Sequence, residues 1–321
     1  MHLPTPRGPA SQSLFRALRQ EGPIPRVVYA SDEDDHQIAL WALYELHYRG
    51  FEDVADTSEW DPEILAVRRQ LEESFEVDLR RLTADLVAAA LEEDTLVGQL
   101  ERIVAEPGPS VAGYLHRDAT AEQYLEFLTE RSIYHLKESD PQTWALPRLT
   151  GAAKVALAEL QYDEYGAGDA AMLHQQLYAD ALDSVGIDSS YGAHIDAVSA
   201  ETLAVNNAMS LFGLHRRLRG ASMGHLAAFE MTSSLPCRRF VQGARRLDLP
   251  DAVVRYFDEH VEADAVHEQL ASRSLCVPMV EAEPALHQDV LLGAAACVLL
   301  DARAAQAVLR AWGDERADAV A

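Results

Sequence analysis

The chain has 321 residues, 48% of them hydrophobic and 25% charged, a composition that fits a globular protein of one large domain or two smaller ones. Its formal net charge of −25 argues against nucleic-acid backbones and anionic membranes as partners, since both would repel it. Lysine occurs only as Lys137 and Lys154, which disfavours lysine catalysis. Cys237, Cys276 and Cys297 lack the paired spacing of a disulfide framework or a cysteine zinc site, so a reducing cytoplasm is the expected compartment.

In chain order, roughly the first 25 residues are rich in Pro, Gly and Arg and read as loose, as do about the last 8. No apolar stretch there has the length of a secretory signal. Helical periodicity then dominates and strand alternation is hard to find, which predicts an all-α fold. The spacing predicts helices over Asp35–Tyr48, Pro62–Phe75, Val77–Ala105, Ala121–Ser139, Gly151–Tyr165, Asp169–Val185, Ala200–Arg217, Ala221–Ser233, Cys237–Leu247, Ala252–Ser272 and Pro284–Trp312. Pro141, Pro147, Gly166, Gly168, Pro236, Pro250, Pro278 and Pro284 punctuate them. The longest apolar tract, Val290–Leu300, is too short to cross a bilayer and reads as a buried helix. The loop Glu106–Asp118 divides an N-terminal helical region, 1–110, from a second part, 111–321, that holds the chemistry. Glu45 and His47, two apart, point to different helix faces and read as packing or surface residues.

The second part carries carboxylates and histidines on five predicted helices. His135 and Glu138 are three residues apart near one helix end. Glu159 and Asp163 share a face, Glu164 is turned by one residue, and His174 follows a glycine break that can aim Glu164 and His174 at one centre. Glu230 sits in the apolar stretch LAAFEM, where a carboxylate is costly to bury without a cation. That cation is a metal or one of Arg216, Arg217 and Arg219, which alternatively steer a substrate carboxylate or pair at the surface. Gly220 and Gly224 strip one face of the same helix for close approach of a helix or a ligand. Finally His260, Asp264 and His267 stand at i, i+4 and i+7, nearly one stripe. Such a stripe is a metal-binding wall or an acidic solvated face with incidental histidines. Inward Glu and His on a helical bundle are the usual way to build a di-iron or di-manganese site. The ferritin-like Glu-x-x-His pair on two helices is missing.

The segments LKESDP, LAELQYDEYGAGD with MLH, GHLAAFEMTSSLP and EHVEADAVHE, within about Ala121–Ser272, resemble the heme-oxygenase-like di-iron oxidases and oxygenases, also described as iron-containing redox enzymes. The resemblance implies a heme-oxygenase-like helical bundle with an N-terminal helical extension that supports a homodimer. It implies seven ligands to two irons and no heme: Glu138, Glu164, His174, Glu230, His260, Asp264 and His267. Of these Glu164, Glu230 and Asp264 lie closest to the chemistry, which is reductive activation of dioxygen with electrons from a donor the sequence does not name. His135, Glu159 and Asp163 are expected behind the ligands, with His215 and His225 outside the set. The extra carboxylate, Glu164, resembles the branch that oxygenates amine or amino-acid nitrogen. Oxidative carbon–carbon cleavage or desaturation of an amino acid or fatty acid is the alternative within the enzyme class, and non-catalytic iron binding the alternative outside it.

Overall fold

The computed structural model describes residues 1–314, with the side chains of residues 262–265 left outside the description. Helices α1 (Pro9–Leu18), α2 (Glu33–Glu45), α3 (Pro62–Ala90), α4 (Leu96–Val104) and α5 (Val111–Arg117) precede α6 (Ala121–His135), the short α7 (Asp140–Thr143), α8 (Gly151–Glu164) and α9 (His174–Ser184). The chain continues through α10 (Ala200–Leu214), α11 (Arg219–Arg246), α12 (Asp251–Gln269), α13 (Val277–Ala282) and α14 (His287–Ala311), and no strand occurs among the described residues. The all-α expectation is met.

α11 is the axis of the molecule and packs on α14, α12, α10 and α5. Its contact with α14 is unusually close because both helices present glycine there. A Cβ at Gly224 would fall 1.9 Å from the Val290 carbonyl oxygen, and one at Gly293 would fall 1.9 Å from that of Ala221. The gap expected at Gly220 and Gly224 is therefore filled by a helix. The tract Val290–Leu300 lies inside α14, largely buried as expected. By length and composition α14 as a whole is long and apolar enough to cross a membrane, contrary to the expectation, although half of that apolar window is buried in the fold.

Four boundaries depart from expectation. The first residues are not loose: Leu3, Leu14, Phe15 and Leu18 are buried, the N-terminal amino group meets Glu52 at 3.0 Å, and Asp35 accepts from the Ala10 and Ser11 amides at 2.9 and 2.8 Å. α3 runs unbroken through the seam expected at Phe75–Val77, because Ile64, Val67, Leu71, Phe75, Leu79, Leu86 and Ala90 continue one buried stripe. It stops at the acidic turn before Thr95, whose hydroxyl caps α4. α11 runs through Pro236, where a break was expected. The loop between the two expected parts contains α5, whose Val111, Ala112 and Leu115 are buried. One apolar core joins α1–α3 to α10 and α14, with Leu14, Trp41 and Leu71 beside Leu211 and Leu292. The loose C-terminus expected from composition lies, from residue 315 on, outside the described residues.

Candidate metal centre

Local geometry explains how each acidic or imidazole group reaches the interior. α6 ends at His135, and the chain turns through Ser139, whose φ of 67° lies in the left-handed region. Glu138, in that turn, is 3% exposed. Its neighbour Lys137 is also buried and turns to Glu45, 3.5 Å away, with its ammonium over the Tyr48 ring at 4.5 Å. α8 ends on Glu164, and Gly166, Ala167 and Gly168 follow with φ of 79°, 52° and 92°. A Cβ on Gly166 would sit 2.6 Å from the Leu173 amide, so glycine lets the chain fold back and start α9 with His174. α11 brings Glu230, and α12 presents Tyr256, His260 and His267 along one face.

These side chains converge as two buried groups. Glu138, His174 and His260 form one, and Glu164, Glu230 and His267 the other, with the donor atoms of each within 4.8 Å of one another. Two bonds of about 2.1 Å span at most about 4.2 Å, and three donors 4.8 Å apart lie about 2.8 Å from a common centre, so inward shifts of at most about 0.7 Å close each group around a cation. Glu164 joins the groups: one oxygen lies 3.0 Å from His174 Nδ1 and the other 3.4 Å from His267 Nδ1.

The surroundings fix how the imidazoles point. His260 donates from Nδ1 to the Tyr256 carbonyl at 2.8 Å, which directs Nε2 inward, 3.7 Å from Glu138 Oε1. His267 presents Nδ1 to Glu164 and Glu230, at 3.4 and 3.6 Å, while Nε2 faces Asp163 at 3.5 Å. Tyr256 donates its hydroxyl to Glu138 Oε2 at 2.9 Å, and His135 Nδ1 lies 3.1 Å from Oε1.

Charge follows geometry. Burial would raise Glu138, but His135 and His260 hold its carboxyl well below the usual range. Burial would lower His267, yet Glu230 by hydrogen bond and charge, then Glu164 and Asp163, push it up to about 9. His174 is raised in the same sense, Glu164 outweighing burial. Protons thus hold places that a cation would take, since three buried carboxylates beside three imidazoles form a hard, mixed oxygen and nitrogen donor set suited to iron or manganese.

A family model described as iron-containing redox enzyme matches residues 125–302, which are more than half of the chain and run from within α6 to within α14. The chain belongs to the iron-containing redox enzyme family. A curated relative, the nitrosourea synthase of Streptomyces achromogenes subsp. streptozoticus, is 26% identical over 201 residues, which are 62% of this chain and 41% of that protein. The chain thus spans less than half the length of the relative it matches. Family membership makes this an iron-containing oxidoreductase with a heme-oxygenase-like helical fold.

Within this iron-containing redox enzyme, six of the seven side chains expected to ligate lie in the two groups, while Asp264 lies outside the described residues. His135 and Asp163 lie beside ligand candidates as expected, whereas Glu159 is exposed on α8. Arg217 pairs with Glu76 at 2.5 Å, Arg219 with Glu283, and Arg216 is exposed. Glu45 and His47 are buried packing residues, Glu45 holding Lys137 and Tyr191, and His215 bonds Glu72. Tyr256 was missed, although its position four residues before His260 places it on the same helix stripe. A cavity of about 590 Å³ borders the centre through His135, Glu138, Tyr256 and His260, and is otherwise walled largely by apolar side chains such as Phe127, Phe229 and Leu299.

Proposed function

We propose that this chain is a non-heme di-iron oxygenase that oxygenates the nitrogen of an amine or amino acid bound in the cavity. The observation that carries the reading is the pair of adjacent buried trios joined by Glu164, with one trio bordering a largely apolar cavity of substrate size. Glu138, His174 and His260 would hold one iron and Glu164, Glu230 and His267 the other, with Asp264 proposed as the seventh ligand. The chemistry that two ferrous ions would supply there, when bound, is electron donation to dioxygen. The protein's own part is to orient and to exclude water. Tyr256 and His135 fix the Glu138 carboxylate, and Asp163 steadies His267 from behind. Phe127 and Phe229 keep the substrate side dry. Nitrogen oxygenation is preferred over carbon–carbon cleavage or desaturation because the relative makes nitrosoureas and because Glu164 adds a carboxylate to the donor set.

Anaerobic ferrous titration followed by dioxygen exposure, with a panel of amines and amino acids analysed by mass spectrometry, tests the reading. Two irons per chain and a product carrying one added oxygen on nitrogen are expected. A shortened carbon chain would favour the cleavage alternative. Saturation at one iron, or iron oxidation that consumes no candidate substrate, would leave an iron-binding protein and overturn the proposal.

A further inference from the structure

The charged residues in the wall of the cavity beside the centre are satisfied, with one exception. Arg131 meets Asp301 at 3.2 Å, Glu106 meets Arg102 at 3.4 Å, and Glu130 accepts from the Ser199 amide and hydroxyl. Arg239, on α11 and half-buried, has no acidic side chain within ion-pair distance among the described residues, and its guanidinium meets the Ser110 hydroxyl at 3.5 Å. The chain has 52 acidic side chains, and the arginines expected to steer a substrate, Arg217 and Arg219, are taken up by Glu76 and Glu283, yet no carboxylate turns to Arg239. A half-buried guanidinium that has lost part of its water without meeting a counter-charge gains most from an anion that enters beside it. Ser110 accepts from the Gly113 amide at 3.0 Å, which leaves its hydroxyl proton to donate to the same anion. Phe240, next to Arg239, packs on Phe257 with ring centroids 5.0 Å apart, and Phe257 stands three residues before His260 on α12. Arg239 is thus about one helical turn, roughly 5 Å along α12, from the level of the first trio, and both border one cavity.

We propose that Arg239 is the carboxylate anchor of this cavity, selecting an amino acid over a simple amine by pairing with its carboxylate while the ligand's nitrogen reaches the Glu138 and His260 side. The guanidinium offers two parallel N–H donors to the two carboxylate oxygens, a fork that a lysine would not supply, and the Ser110 hydroxyl adds a third donor. The carbon chain that separates carboxylate from nitrogen lies against the apolar wall of Phe127, Phe229 and Leu299. An amine without a carboxylate gains those apolar contacts and leaves the guanidinium as it was. That the nitrogen is then oxygenated rests on the oxygenase reading; the anchoring of the carboxylate does not.

The full chain, loaded anaerobically with ferrous iron, is titrated by calorimetry with 6-aminohexanoate and 8-aminooctanoate, and with hexylamine and octylamine, in which a methyl group replaces the carboxylate. The better-fitting amino acid is expected to bind about ten-fold or more tighter than its amine. Arg239→Gln should erase that preference, and Arg239→Lys, which keeps the charge without the fork, should retain only part of it. Arg239→Glu should invert it, binding 1,8-diaminooctane more tightly than 8-aminooctanoate, a reversal that a merely structural arginine would not produce. Each variant's Tm and iron stoichiometry report whether it folds, and if Arg239→Gln does not, Arg239→Glu decides. Equal or tighter binding of the amines by the wild type overturns the proposal. So does a folded Arg239→Gln that keeps the preference, or a folded Arg239→Glu that does not favour the diamine. Dioxygen is absent throughout, so an amino acid that binds through Arg239 and is later found not to be oxygenated counts against the oxygenase reading alone.

Discussion

His225 has a measurable signature of its own at the scale of one residue. Its folded value near 4 lies below the unfolded 6.5, so the folded protein resists a proton that the unfolded chain accepts. The stability it permits is complete above pH 6.5 and is lost as pH falls from 6.5 towards 4, by roughly 3 kcal/mol at 1.36 kcal/mol per pH unit. Urea unfolding at pH 7 and pH 4.5 should therefore show a smaller loss for His225→Phe than for the wild type. Equal losses would mean that water or another group already protects the imidazole. Residues also show what sequence reading reveals. A glutamate in LAAFEM and a histidine pair flanking an aspartate stand out because charge among apolar neighbours needs a reason. Tyr256 does not, since a tyrosine on an apolar stripe is ordinary core, and only coordinates show its hydroxyl on Glu138. Asn206 and His225 are equally quiet in sequence, because the unbonded Asn206 side-chain oxygen and His225 ring nitrogens are a property of the fold.

Among the elements, the contact of α11 with α14 is the tightest constraint. Gly224→Ala or Gly293→Ala would drive a methyl group into a backbone carbonyl of the facing helix, and neither helix can give way without disturbing the core between them. A loss of about 1–3 kcal/mol or more is expected in urea unfolding, together with weaker iron binding, because Glu230 lies on α11. Gly186→Ala serves as the contrast: its φ of 76° is strained but it meets nothing within 4 Å, so iron binding should stay. If both leave iron affinity alike, the close approach is not what places Glu230. Most helices were legible from apolar spacing, and the errors have physical causes. Pro236 marked a break, but proline removes only one hydrogen bond and crowds one turn, about 3 kcal/mol. Cys237, Phe240, Val241 and Ala244 are buried just beyond it, and Thr232 and Ser233 bond back to the Ala228 and Phe229 carbonyls in the turn before it, so α11 carries on. The first residues looked loose by composition, yet distant partners such as Asp35 and Asp53 tie them down, and such pairings leave no local trace.

For the molecule as a whole, six donors from the α6–α7 turn, α8, α9, α11 and α12 meet at one place, so metal should staple the fold. Iron at one hundred times its dissociation constant adds roughly 3 kcal/mol, about 4 °C in Tm for a chain of this size. Chelation should reverse the gain, and a Tm indifferent to iron and chelator would show that the trios hold no ion. The excess of 52 acidic over 27 basic side chains favours cation capture at long range. The same glycine seam has a wider effect. Phe229 on α11 and Cys297 on α14 are both cavity wall, and Glu230 is the next residue along α11. With α11 and α14 in backbone contact, those two helices behave as a single plank, and the spacing between the pocket's lining and the Glu230 carboxylate is built in like a carpenter's jig. A mutation that enlarges the pocket by swapping side chains leaves that spacing alone, so new substrates can be accommodated without retuning the metals.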